Sequence, residues 1–364
     1  MSETKSGSID QFSASEDVLT ELLEGEAEAS PESQTGWPAL WGRLIASRDV
    51  TILVVAVVLF LLFAAANPRF LSENNLLGIA RRMPTIGIVA VGMTFLMIAG
   101  EIDLSAGTSF GFLMTIIAIM VDKWSVDPWI GMVTVVFIGL GIGAINGLLV
   151  TKVRLPAFIA TLGMLATLRG VANALSGGLS YDMFDNSHEY FQILGGGFPG
   201  TRIPVLFIIM ILVMIVAGFL LAKTRFGSNV YSTGGDVEAA RNNGINTNRV
   251  KLICFILMGG LCGFAGALNY GRVASAPVSA GAGLELQAIA AIIIGGVGLF
   301  GGRGTMFGSL VGTFFLSMLP AGLILIGVPD FWEGIALGLV ILLAAGLDLI
   351  VRRTAARVLG RAEK

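Results

Sequence analysis

Along residues 50–351, long apolar stretches alternate with short polar ones, and the apolar stretches are long enough to cross a bilayer as helices. The pattern predicts ten spans, at 50–66, 84–100, 104–121, 129–150, 157–176, 203–222, 252–270, 288–300, 305–326 and 332–351. Gly-rich sequence interrupts the third and the eighth. Glycine also recurs at four-residue spacing, at Gly139, Gly143 and Gly147, Gly259 and Gly263, Gly308 and Gly312, and Gly334 and Gly338. Such a stripe removes side chains from one helix face and lets backbones approach closely; packing within one chain is the expected use, ahead of a dimer contact. A faint internal repeat lays Glu101–Gly107 and Thr108 on Gly296–Gly302 and Thr305, each copy followed by a span and then by an aromatic start at Trp129 or Trp332. With ten crossings the two copies run in the same direction, as in transporters built from parallel repeats.

Composition agrees with the pattern. Hydrophobic residues make up 55% of the 364 and charged residues 13%, about half the charge of a soluble domain. The expected fold class is therefore all-α, a polytopic membrane protein with about ten transmembrane helices. Nine acids crowd residues 1–36 against the single base Lys5, so the net charge of −2 joins an acidic tail to a basic body. A nucleic-acid-binding surface is not indicated. Three regions follow: an acidic tail and pre-membrane segment at 1–48, a membrane domain at 49–351 and a basic tail at 352–364. The first 36 residues read as disordered and lack the pattern of a signal peptide, so they are expected inside the cell. With both termini cytoplasmic, fifteen bases fall on inner segments and six on outer ones (Arg69, Arg81, Arg82, Lys123, Arg202, Arg272). Arg81 and Arg82 dissent, and an interfacial helix before Pro84 would accommodate them. Cys254 and Cys262, eight residues apart, stand about 12 Å apart on a helix, too far for a disulfide. The lone His188 has no metal-ligand companions.

Two stretches could carry chemistry. In the loop 223–251, Gly234 and Gly235 permit a turn, Asp236 can cap a helix start, Val237–Asn243 can form two helical turns and Gly244 can stop them. The segment reads either as a short surface helix that transmits a push from a soluble partner or as a plain connection. The second stretch, Glu101-Ile-Asp-Leu-Ser105, sets two acids between apolar spans. Either the turn emerges into solvent, or it is a broken-helix element reaching a wet cavity, with Asp103 and Ser105 capping the third span and Glu101 facing the path. Thr108 and the aromatic Phe95 belong to the same set of path candidates, although Phe95 suits plain packing. Arg169, Asn173 and Ser176 share one helix face; Arg169 either pairs with an acid or snorkels outward. Asn146 and Asn269 are suited to joining helices by hydrogen bonds. No Gly-Lys dipeptide occurs, so no Walker A loop is present, and no hydrolase motif is found. The chain does not read as an enzyme.

The 223–251 loop with Gly244-Ile-Asn246, together with Gly100-Glu-Ile-Asp-Leu-Ser-Ala-Gly107, Leu155-Pro-Ala-Phe-Ile-Ala-Thr-Leu-Gly163, Arg169-Gly170 and Leu286-Gln-Ala-Ile-Ala-Ala291, resembles permease subunits of bacterial ABC importers for simple sugars. The resemblance is to the ribose, xylose and autoinducer-2 type, over about residues 50–350. It implies a coupling segment at Asp236, Val237, Glu238, Ala239, Ala240, Arg241, Gly244 and Ile245, pressed by two ATPase subunits or one fused double-cassette ATPase. No cofactor is expected on this chain; ATP and Mg would be bound by that ATPase. It further implies a solute-binding protein, which outer Arg69, Arg202 and Arg272 could meet, and a second permease copy, identical or related, in the bacterial inner membrane. Where such sugar permeases often carry Thr-Ser-Leu-Ala, this chain has Gly-Val-Gly-Leu-Phe-Gly-Gly at 296–302, a loss of hydroxyls that bears on the solute. Rival readings are an ion-coupled secondary transporter using Glu101 or Asp103, a passive channel, and ABC import of nucleosides or branched-chain amino acids.

Overall fold

The computed structural model describes residues 48–183, 187–329, 331–339, 342 and 346, with side chains from residue 52. The tails 1–47 and 352–364, and half of the predicted span 332–351, lie outside the described residues. The chain divides into two units, Met1–Val50 and Thr51–Lys364, and the helical bundle belongs to the second.

Twelve helices are named here: α1 (Arg48–Ala66), α2 (Glu73–Ile98), α3 (Ala106–Trp124), α4 (Pro128–Thr151), α5 (Ala157–Ser176), α6 (Glu189–Gly195), α7 (Val205–Lys223), α8 (Arg225–Gly235), α9 (Val237–Asn242), α10 (Thr247–Val273), α11 (Leu284–Ile294) and α12 (Met306–Leu325). Two-residue strands β1 (Tyr181–Asp182) and β2 (Ser275–Ala276) pair antiparallel. Among the described residues seven helices (α2, α3, α4, α5, α7, α10 and α12) are long and apolar enough to cross a membrane, and shorter apolar helices cover Ile52–Ala66 and Leu284–Ile294. Residues 332–339 are helical as well.

Two sequence expectations are corrected. Arg81 and Arg82 do not sit on a separate interfacial helix: α2 runs unbroken for 26 residues with Pro84 inside it. A proline forfeits one backbone bond, which a helix clamped by neighbours tolerates. The predicted eighth span is not a full crossing. Its helix, α11, has 11 residues, about 16 Å of rise against about 30 Å of hydrocarbon. The other half of that crossing is non-helical chain, 274–283, where Pro277 and the positive-φ residues Gly281 and Gly283 prevent a helix.

The bundle holds together by close backbone contact. A Cβ at Gly139 would lie 2.2 Å from the Gly259 carbonyl oxygen, and one at Gly143 would lie 2.1 Å from that of Phe255. The glycine stripe of α4 therefore receives α10 within the same chain. Gly308 and Gly312 bring α12 as close to Gly295 and Ala291. Gly334 and Gly338 have no neighbour among the described residues. Outer faces carry bare apolar side chains, among them Leu62, Phe137, Phe158, Ile215 and Phe219, each 60% or more exposed. Leaving such side chains in water costs about 1.5–3 kcal/mol each; a bilayer removes that cost.

Candidate functional site

The two ends of the bundle differ. At the end marked by Glu101, the α2–α3 turn, the α4–α5 turn, the α7–α10 loop and the turn 295–304 meet. Asp236 starts α9: its Oδ1 accepts from the amides of Glu238 (2.9 Å) and Ala239 (3.0 Å). Gly244, at φ +79°, ends the segment with open space around it. Glu238 and Ala239 are exposed on the outside of α9, Val237 is half-buried, Ala240 is buried beneath the helix and Ile245 packs on the core. Arg241 donates from Nε to Thr247 Oγ1 at 3.0 Å, tying α9 to α10. The preceding helix α8 is anchored by Tyr231, whose hydroxyl donates to the Gly304 carbonyl at 2.6 Å, and by Gly234, where a Cβ would lie 1.7 Å from the Ile98 carbonyl oxygen. Gly302 N donates to that same oxygen at 2.8 Å. Thus the turn 296–302, with its missing hydroxyls, lies beside the α8–α9 segment. Helices α3 and α12, which follow the two halves of the faint repeat, both start at this end and run the same way.

Glu101 forms an ion pair with Lys251 Nζ at 2.5 Å, both largely buried. Asp103 is 2% exposed; its Oδ1 accepts from Ser105 N (2.8 Å) and Ser105 Oγ (2.6 Å). Asn146 on α4 donates to Ser105 Oγ at 2.9 Å and to Asp103 Oδ2 at 3.4 Å. Burial pushes the Asp103 carboxyl above its usual range, and these hydrogen bonds pull it back. Asp103 is therefore sealed from solvent while Glu101 lines a recess beside Lys251, and the Ser105 side chain does not cap α3. Thr108 bonds back to the Ser105 carbonyl, and Phe95 packs on Phe226 at 6.0 Å between ring centroids. A recess of about 530 Å³ opens beside the ion pair, with Arg154, Arg241 and Lys251 in its wall.

At the opposite end, Trp129, Tyr190, Phe191 and Tyr270 stack edge to face, and Tyr190 donates to the Ala267 carbonyl at 2.6 Å. Arg69 is exposed on a short 3-10 helix, and Arg202 pairs with Glu73 at 3.2 Å, both exposed. Arg272 departs from the docking expectation. It lies in the last turn of α10, half-buried, and donates through Nε (3.2 Å) and Nη2 (2.8 Å) to Asn269 Oδ1. Two adjoining cavities of about 350 Å³ each share Thr85, Arg272 and Gln287 in their walls. One adds Asn269 and Met114, the other Ser317, Arg82 and Glu333. Arg169 reaches the broken crossing, donating to the Val278 carbonyl at 3.2 Å, whereas Asn173 is exposed on the outer face of α5. Thr85, Gln287 and Ser317 escape sequence reasoning, although polar side chains inside apolar runs are its available signal.

The chain is 37% identical over 298 residues, 81% of its length and 92% of the relative's, to the ribose import permease protein RbsC of Escherichia coli. To RbsC of Bacillus subtilis it is 38% identical over 291 residues, 80% of this chain and 89% of the relative. To the autoinducer 2 import system permease protein LsrC of Salmonella typhi it is 32% identical over 303 residues, 81% of this chain and 84% of the relative. No solved structure matches. The family of the branched-chain amino acid transport system permease component matches residues 75–345, and the chain belongs to that family.

Proposed function

We propose that the chain is the membrane-spanning permease subunit of an ATP-driven, binding-protein-dependent importer that moves a monosaccharide or similarly small neutral solute into the bacterial cytoplasm by alternating access. The observation that carries this is helix α9, capped by Asp236, seated on α10 through Ala240 and Arg241, and continuous with α8, which grips the ends of α2 and the turn 295–304. A partner pressing on the exposed side of α9 would move four elements together. Switching access needs two stable arrangements of the spans, with the ATPase supplying the bias between them. In this reading the Glu101 end faces the cytoplasm, both termini are inside and the protein resides in the inner membrane. Two ATPase subunits, or one fused double-cassette chain, hold ATP and Mg there. A soluble binding protein delivers solute at the other end, near Arg69 and Arg202, and a second permease copy completes the channel.

Relatives named for ribose and autoinducer 2 import support a sugar-like cargo over branched-chain amino acids or nucleosides. An ion-coupled transporter needs a carboxylate free to exchange a proton. Glu101 is paired with Lys251 and Asp103 is held by Ser105 and Asn146, which disfavours these two carboxylates for that role. The test is uptake into proteoliposomes holding the permease with its ATPase and binding protein. Glu238→Arg should leave insertion and basal ATP hydrolysis intact while uptake falls at least ten-fold, and Gly244→Val should act alike. Unchanged uptake in both would overturn the coupling role, and wild-type uptake driven by a proton gradient without ATP would overturn the importer.

A further inference from the structure

We infer that the two adjoining cavities at the Arg272 end form a solute-binding subsite within a single copy of the chain, built for the adjacent hydroxyls of a neutral sugar or polyol; this rests on the importer reading above. Three observations converge. First, the segment 274–283 descends from Ala276 to the level of Gly107 and Gly111, where its Gly281 and Ala280 backbones press on α3. The middle of α10 lies alongside, with Gly266 against the Phe110 carbonyl. Non-helical backbone at that depth persists only where protein or a wet cavity lines it. Within the segment the backbone bonds are Ala280 N to Pro277 O, Ala282 N to Ser279 O and Leu284 N to Gly281 O, while Ser275–Ala276 pairs with β1 and Val278 bonds to Ser180 and Arg169.

Second, the walls hold polar groups without protein partners. On α12, Thr313 bonds back to Ser309 O and Ser309 to Thr305 O. Ser317, one turn on and 1% exposed, makes no such bond, and its Oγ has no partner among the described residues. A buried hydroxyl in that state costs about 1–3 kcal/mol, and a rotamer change that turns it to the cavity would let a ligand oxygen relieve that cost. The Gln287 amide likewise has no hydrogen bond among the described residues, and the Asn269 amide nitrogen meets only the Met114 sulfur at 3.6 Å.

Third, the charge suits hydroxyls. Arg272 spends two N–H groups on Asn269 and has no carboxylate within ion-pair distance among the described residues. Its planar fork can donate to two neighbouring oxygens at once. The carboxylate in these walls, Glu333, shares its cavity with the two cations Arg82 and Arg272, so the lining carries a net positive charge that does not match the balanced charges of an amino acid. Arg272 and the Asn269 amide would donate to one pair of hydroxyl oxygens, with Gln287 and Ser317 bonding the far side of the ring. Each cavity is within the size range of small-molecule sites.

The test uses the assembled importer with the buried Cys254 and Cys262 changed to Ala. Thr85→Cys and Gln287→Cys are labelled with a charged, membrane-impermeant thiol reagent; Val171→Cys on the exposed face of α5 is the control. D-ribose-loaded binding protein with ATP should slow labelling at Thr85→Cys and Gln287→Cys at least five-fold and leave the control unchanged. Ser317→Ala and Gln287→Leu should raise the KM for uptake several-fold with ATP hydrolysis unaltered. Intact D-ribose uptake by the unsubstituted importer, with labelling indifferent to the sugar, would overturn the subsite alone. Absence of both uptake and protection would overturn the importer reading as well.

Discussion

Closest approach at the Glu101 end is backbone to backbone, whereas at the Arg272 end side chains make most of the contacts between helices. At the first, Gly234, Gly301 and Gly302 bring main chains together so closely that an added methyl has no room. At the second, aromatic edges, an exposed ion pair and a two-residue strand pair surround cavities with unpaired polar groups. Main-chain contacts transmit displacement with little give, while side chains can change rotamer around a passing ligand. Stiffness thus lies where a push would arrive, and adaptability where a solute would enter.

Substitutions at the two ends should sharpen the contrast. The largest effect is expected from Gly234→Ala, whose methyl would strike the Ile98 carbonyl. It should cost about 3 kcal/mol, read as a lowered unfolding midpoint in detergent. Gly235→Ala, with nothing within 4 Å, and Gly195→Ala at the other end, whose nearest neighbour is 3.4 Å away, should be nearly neutral. Equal losses at Gly234 and Gly195 would erase the distinction. Next comes Asp103→Ala, which strands Ser105 and Asn146 and should cost about 1–3 kcal/mol, with Asp103→Asn losing less; the same melt checks both. The smallest effect on stability is expected from Arg202→Glu, an exposed pair worth about 0–1 kcal/mol. That change and Arg69→Glu should nonetheless slow association with the binding protein in a salt-dependent way. A binding rate that is normal and insensitive to salt would remove these arginines from the docking face.

Much of this architecture can be read from residue pattern. Apolar periodicity marks most of the spans, the four-residue glycine spacing in α4 marks its close contact with α10, and Asp236 marks the start of α9. What escapes is depth. Ser275, Pro277, Ser279 and Gly281 look like an ordinary surface loop, because composition is the same whether polar chain meets bulk water or a cavity between helices. Arg272 reads as a loop base for the same reason, and only the length of α10 draws it inward. Asp103 shows the converse: its acidity suggests solvent or a path, yet Ser105 two residues on and Asn146 on another helix seal it. Gln287 and Ser317 gain meaning only once α11 and α12 are seen to face Arg272.

The half-length of α11 has a consequence for biosynthesis. Eleven residues, nine of them apolar, are too few for the translocation machinery to halt and release as a membrane segment. Such a stretch is expected to settle into position once α12 has emerged from the ribosome and the helices before it have gathered, which would make the completion of this part of the bundle a late event in the life of the nascent chain.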